Sequence, residues 1–167
     1  EVIAGQGTIG LEIAAQFDGE AEVLTCCGGG GMTSGIALAL EGRMRVRPVE
    51  PEGFDDVARS LISGVRERNA TLSGSVCDAI VTPCAGEMTF PIMKRLCGAG
   101  IAVSDEEALR AMVLAFEHLR IVLEPGGAVA LAAALFRPDL PETVIAVASG
   151  GNVDPAIFAN ALARFGG

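Results

Sequence analysis

The sequence predicts a three-layer α/β fold, a mostly parallel sheet with helices on both faces. Short β-type runs alternate with helical patterns along all 167 residues, and no linker, low-complexity tract or repeat divides them. That alternation marks parallel strands joined by crossover helices. Half of the residues are apolar and the mean hydropathy is +0.47, enough to fill a single core and too much for a disordered chain. Glycine occurs 22 times, roughly twice its usual share, which points to several close backbone approaches. Residues 1–167 therefore read as one domain.

The elements follow in order. Thr8 caps a first helix that runs to about Phe17. Residues 22–27 read as a buried strand, followed by four glycines and a helix from about Ser34 to Glu41. A strand over 44–49 and a helix over 55–63 come next, then an irregular stretch over 69–87. A short helix over 90–96 leads to a strand over 101–103. Ser104-Asp-Glu-Glu107 is a capping box with acids in the first turn, and it opens a long helix to about Val122. Pro125 suits the first turn of an Ala-rich helix ending near Phe136. That helix is apolar all round, so it belongs between layers. Residues 143–149 form an apolar strand, Gly150-Gly151-Asn152 a turn, and Pro155 starts the last helix.

Charge and composition exclude several functions. Twelve basic residues against 21 acidic ones leave a net charge of −9, so no nucleic-acid or anionic-membrane partner is expected. The chain has no Trp, no Tyr and 7 Phe, little surface for stacking bases. Its longest strongly apolar run, residues 126–136, is too short for a bilayer span. No targeting pattern precedes the first apolar run, and the chain opens on Glu1, which reads as a fragment or a processed chain. The five cysteines (26, 27, 77, 84 and 97) form no C-x-x-C pair and there is one histidine. That argues against a zinc site and for a reducing cytoplasm.

Two glycine clusters compete as anion sites. Gly5-Gln-Gly-Thr-Ile-Gly10 is a literal G-x-G-x-x-G. Only four residues precede it and the next strand ends in Cys26-Cys27 instead of an acid, so a tight strand-to-helix turn is favoured over a nucleotide site. Gly28-Gly29-Gly30-Gly31-Met32 follows a buried strand and precedes a helix. Bare N–H groups and the helix dipole converge there. Four glycines exceed the needs of a turn, and no G-K-[ST] ending makes it a P-loop. A small phosphate, held by backbone and dipole without a basic side chain, fits this loop.

Taken together, Ala4-Gly-Gln-Gly-Thr-Ile-Gly10, the tetraglycine loop, Val49-Glu-Pro51, Glu124-Pro-Gly-Gly-Ala-Val129 and Ser149-Gly-Gly-Asn-Val-Asp154 resemble, in order and spacing, the threonine/serine dehydratases. These ammonia-lyases are pyridoxal 5′-phosphate (PLP) enzymes of the tryptophan-synthase β fold, with serine racemase a close relative. The resemblance covers essentially the whole chain and corresponds to the C-terminal half of the family. It implies the large-domain part of that fold. It also implies a PLP phosphate on Gly28, Gly29, Gly30, Gly31 and Met32, the pyridine nitrogen on Ser149, and Glu124 near the ring edge. A hydroxyl partner leaves the ring a moderate electron sink, suited to elimination. Locally, Ser149 also reads as a hydroxyl bonded to backbone, and Glu124 as an acid favoured by the next helix's dipole. Gly126 stands where relatives often carry Ala or Thr, a change that would enlarge the pocket. The resemblance further implies a divalent cation, Mg²⁺ or Ca²⁺, on Glu50, the Phe54 carbonyl and Asp56. An acidic loop at a helix N-terminus is the plainer reading of those residues.

The family links PLP to a lysine in an S-x-K-x-R-G segment, and an S-G-N-H segment reaches the cofactor and the substrate carboxylate. Neither occurs in these residues, whose one lysine, Lys94, sits in Phe90-Pro-Ile-Met-Lys-Arg-Leu96 and reads as a solvated helix position. No catalytic residue is assigned. The expected function is the cofactor-binding portion of a PLP-dependent threonine/serine ammonia-lyase, which eliminates water and releases ammonia and a 2-oxo acid. The 167 residues alone are expected to be inactive. A small amino acid is the substrate expected for the complete enzyme. A non-catalytic phosphate- or PLP-binding remnant is the alternative, and a nucleotide-binding domain a weaker one. An exposed apolar edge is expected to pair with another copy or with the missing N-terminal half. His118 reads as a helix-surface residue, and Arg43, Arg45 and Arg47 as locally paired charges.

Overall fold

Four parallel strands form one sheet in the order β3-β2-β1-β4. They are β1 (Glu22–Cys26), β2 (Arg45–Pro51), β3 (Ile101–Val103) and β4 (Val144–Ala146). The computed structural model describes residues 1–167. Both faces of the sheet are covered, which is why β1 reads as an apolar run with little alternation. Val23 turns to one side, with Ile36, Leu40 and Val46, while Leu24 turns to the other, with Val49, Ile101 and Ala128.

The inner helices are α2 (Gly31–Ala39) on one face and α6 (Pro125–Phe136) on the other. Outside them lie α1 (Val2–Gln16) against α2 and α5 (Asp105–Leu114) against α6. The expectation for α6 holds: residues 125–130 are all buried, and the helix touches every strand on one side and α5 on the other. Its alanines let a helix fit between two layers. Three further helices, α3 (Asp56–Ser63), α4 (Thr89–Leu96) and α7 (Pro155–Phe165), complete the fold. No helix is long and apolar enough to cross a membrane.

Several boundaries differ from expectation, for physical reasons. The first helix starts at Val2, six residues before Thr8, so Gly5 to Gly10 lie inside α1 and not in a strand-to-helix turn. Thr8 is no cap, since its hydroxyl bonds back to Gly5 O at 2.8 Å within the helix. The glycines serve packing. A Cβ at Gly35 would stand 2.6 Å from Gly7 N, and one at Gly7 would stand 3.2 Å from Gly35 O. The strand and turn that a nucleotide fingerprint requires are absent, which removes the nucleotide-binding reading.

The capping box forms as expected: Ser104 Oγ accepts from Glu107 N at 3.2 Å, and Glu107 Oε2 accepts from Ser104 N at 2.8 Å. The helix it opens is shorter than expected. Regular α geometry ends at Leu114, a π turn spans 115–119, and Arg120 closes it at φ 59°. Leu119, Ile121 and Val122 are exposed there, and their helix-like spacing lengthened the expected element. Strand β4 stops at Ala146, well before Ser149, because the chain turns away to meet the start of α6. Arg43 and Arg47 face Asp18 (3.8 Å) and Glu22 (3.3 Å), the local pairing expected of them.

Candidate cofactor site

From β1 the chain moves to β2 and then β3 on one side of the sheet, and it returns to β4 on the other. The carboxyl ends of β1 and β4 therefore flank a topological switch point, the place where open α/β sheets leave a crevice for ligands. The tetraglycine loop leaves β1 at this point, and Ser149 follows β4 to the same place.

The loop is held by its carbonyls. Gly29 O accepts from Gly86 N at 3.0 Å and from the Thr89 hydroxyl at 2.6 Å, and Gly30 O accepts from Ser34 N at 2.9 Å. The amides of Gly28 to Met32 donate to no acceptor of the chain. Five donors are thus left without a partner in the chain at the N-terminus of a nine-residue helix, where the dipole adds a partial positive charge. Gly30 must be glycine: its φ is +85° and a Cβ would stand 2.5 Å from Met93 Cε. A Cβ on Gly29 would meet nothing within 4 Å. A cleft of about 330 Å³ opens there, lined by the loop with Cys26, Ile80 and Thr82.

The other expected residues arrive from two segments that interlock. Glu124 N donates to Gly150 O at 2.9 Å and Ser149 N donates to Gly127 O at 3.5 Å. The Glu124 side chain lies across Gly150, filling the space a Cβ would take. The Ser149 hydroxyl meets Cys26 Sγ at 3.2 Å. The hydroxyl is exposed, not buried at a strand end, and its partner is a thiol and not backbone. Burial pushes the Cys26 thiol up, the Ser149 bond draws it partly back, and the nearby Glu124 carboxylate adds to the rise. A Cβ at Gly126 would stand 3.4 Å from the Ile80 side chain and 3.7 Å from Ala79 Cβ, ordinary contacts for an alanine.

The expected cation ligands occupy one corner at the start of α3. Glu50 is fully buried, and its carboxylate accepts from Val57 N at 2.9 Å and Ala58 N at 2.7 Å. Burial pushes its pKa up to about 8, against the pull of those two bonds. Asp56 Oδ1 accepts from the Asn69 side chain at 2.7 Å, while the buried Oδ2 has no partner. Burial raises this carboxyl too. Phe54 N donates to Pro51 O at 3.0 Å. Once ionised, each Glu50 oxygen would keep a lone pair beside its backbone bond, and the unpartnered Asp56 oxygen is the atom a hard cation would satisfy.

Lys94 Nζ donates to Gly64 O at 2.9 Å and is exposed. No amine side chain lines the cleft. Sequence reasoning missed Cys26 as a lining residue, and it missed Gly86 and Thr89 as anchors of the loop. The position of Cys26 two residues before the glycines was the one available hint.

The family model described as "Pyridoxal-phosphate dependent enzyme" matches residues 1–150. The chain is 37% identical to serine racemase of Dictyostelium discoideum, across 92% of this chain and 50% of that protein. It is 35% identical to L-threonine ammonia-lyase of Thermotoga maritima, across 92% of this chain and 39% of that protein. The solved structure of maize serine racemase superposes with a TM-score of 0.84 at 31% identity, covering 97% of this chain and 52% of that one. That of the processed form of threonine deaminase isoform 2 from Solanum lycopersicum superposes with a TM-score of 0.88 at 30% identity, covering 98% of this chain and 50% of that one. The chain spans about half the length of the curated relatives it matches.

Proposed function

The chain belongs to the family of pyridoxal-phosphate dependent enzymes, and from that premise we propose that it forms the coenzyme-gripping part of a threonine/serine ammonia-lyase. The observation that carries this reading is the set of five amides, Gly28 to Met32, without an acceptor at the start of α2. They suit a phosphate dianion, which helix N-termini bind through backbone donors alone. In this reading Ser149 meets the ring nitrogen and Glu124 stands at the ring edge. Supporting this, Ser149 touches Cys26, which lines the cleft, and Glu124 lies across the next residue, Gly150.

When bound, the coenzyme supplies the electron sink that makes a proton on the substrate's α-carbon acidic. The residues of this chain do the holding. The loop fixes the phosphate end and the α2 dipole balances part of its charge. The Ser149 hydroxyl holds a hydrogen bond, not a full proton, at the nitrogen. Ile80 and Thr82 line the cleft with the loop and lie close against Gly28. In this reading an amine that links the coenzyme covalently comes from another segment, since Lys94 does not line the cleft and donates to Gly64 O.

Binding and covalent trapping test the proposal together. PLP added to residues 1–167 is expected to bind reversibly, leave no adduct after borohydride, and give no turnover of threonine or serine. Absence of binding would leave only a structural remnant. A borohydride-stable adduct at Lys94 would overturn the assignment of roles. A PLP-binding module without turnover is the second reading, favoured by the cleft's lack of an amine. Turnover restored by a segment carrying S-x-K-x-R-G decides against it.

A divalent cation on Glu50, the Phe54 carbonyl and Asp56 is part of the same proposal, supported by the unpartnered Asp56 oxygen. Mg²⁺ or Ca²⁺ is expected to raise the melting temperature of the wild type and not of Asp56→Asn. A small amino-acid substrate and a cytoplasmic setting complete the reading. The setting is supported by five free cysteines.

A further inference from the structure

The seam between β1 and β4 holds a contact that the coenzyme reading leaves unused. Cys26 ends β1 and Ser149 lies beyond the end of β4, its parallel neighbour. Their side chains meet at 3.2 Å across 123 residues of chain. Cys26 also lines the cleft with the glycine loop. Its carbonyl accepts from the Thr33 hydroxyl at 3.4 Å, which ties the strand end to the first turn of α2. The exposed Ser149 hydroxyl makes no other hydrogen bond within the chain, so the thiol alone sets its direction.

Each of the two groups has one proton and lone pairs to accept another. Burial favours the neutral thiol, and the neighbouring Glu124 carboxylate favours it further. A protonated sulfur that donates to Ser149 Oγ leaves the hydroxyl proton free for an acceptor in the crevice. We propose that Cys26 is a positioning residue: it holds the Ser149 hydroxyl as a one-directional donor toward the ring nitrogen of the coenzyme. This rests on the reading given under Proposed function. Removing the thiol frees the hydroxyl to rotate into solvent. A serine at position 26 would restore the relay with a stronger donor.

The test adds PLP to the protein in six forms: wild type, Cys26→Ala, Cys26→Ser, Ser149→Ala, the double variant Cys26→Ala/Ser149→Ala, and Gly29→Asp as the control for uptake. Cys26→Ala is expected to weaken coenzyme binding about two- to tenfold, the span of one modest hydrogen bond. It should also move the absorbance spectrum of the bound coenzyme toward that of Ser149→Ala. Cys26→Ser should return both toward wild type, and Cys26→Ala should add nothing once Ser149 is gone. An unchanged spectrum in Cys26→Ala, a lowered melting temperature alone, a failed serine rescue, or a full effect in the Ser149→Ala background each overturns the inference. A wild type that takes up no more coenzyme than Gly29→Asp removes the parent reading and this one together. Uptake by the wild type with any of the four contrary results removes this one alone.

Discussion

Two adjacent glycines in one loop answer to different constraints, and substitution separates them. Gly30 sits at φ +85° with buried Met93 against the place of its Cβ. Gly30→Ala is expected to cost about 2–4 kcal/mol, from the left-handed backbone and from overpacking, read as a lowered urea midpoint. Gly29 faces open space. Gly29→Asp puts an anion at a helix N-terminus, where it is worth about 0.3–1 kcal/mol of stability, and the same anion repels phosphate. The expected outcome is an unchanged or raised melting temperature with at least a tenfold loss of PLP affinity. Equal losses at both positions would mean that the loop is built for folding and not for an anion. The tetraglycine run is legible at this scale because four bare residues exceed what a turn requires. The partner of Ser149 is not, since a contact across 123 residues leaves no trace in local spacing.

Among the elements, α5 shows how a readable signal fixes one end and not the other. Its start is evident from Ser104 and Glu107, whose reciprocal bonds form as their spacing requires. Its end depends on Arg120 entering the left-handed region, which no glycine or asparagine at that position announces in the sequence. Burial tends to raise the Glu107 pKa, but the Ser104 amide and the Arg137 guanidinium outweigh it, and the net direction is down. Ionised Glu107 therefore adds stability above the carboxyl's unfolded pKa, and this is lost as pH falls through the lowered native value. Glu107→Gln is expected to destabilise by about 1–2 kcal/mol at pH 7. The difference from wild type should close in acid, which thermal melts across pH 3–7 check (roughly the span over which a carboxylate titrates).

The α1–α2 crossing carries the opposite lesson. The G-x-G-x-x-G pattern lacks the context of a nucleotide motif, and that much is plain from its neighbours in sequence. Its real use, close helix packing, shows only once Gly35 has a position in space. Gly35→Ala would press its methyl against the backbone of α1, which cannot yield as a side chain can. A loss of about 2–4 kcal/mol is expected, whereas an alanine at Gly5, inside the same α1 with nothing within 4 Å, is expected to raise stability by about 0.5–1 kcal/mol through helix propensity.

For the molecule as a whole, the order of layers is legible because alternation and an all-apolar helix specify a covered parallel sheet. Strand lengths are not, because they follow from neighbours: β2 gains residues by pairing with β3, while the half-buried edge β4 loses them. That edge, together with exposed Leu11, Leu38 and Met88, supports the proposal that the chain pairs with another copy or with an N-terminal half. Light scattering on the purified 17.0 kDa chain is expected to find species of at least twice that mass. A lone monomer at high concentration would count against the pairing.

The anchoring of the glycine loop extends this to motion. Because Gly29 is fastened through its carbonyl to Gly86 and Thr89, tension applied to the amide side of the loop reaches the first turn of α4 without crossing the core. An occupied crevice is expected to steady the Gly86 amide, which bonds to Gly29 O from outside the cleft lining, and to slow its exchange with deuterium. Slowed exchange at that one amide would report a filled crevice from the far side of the loop.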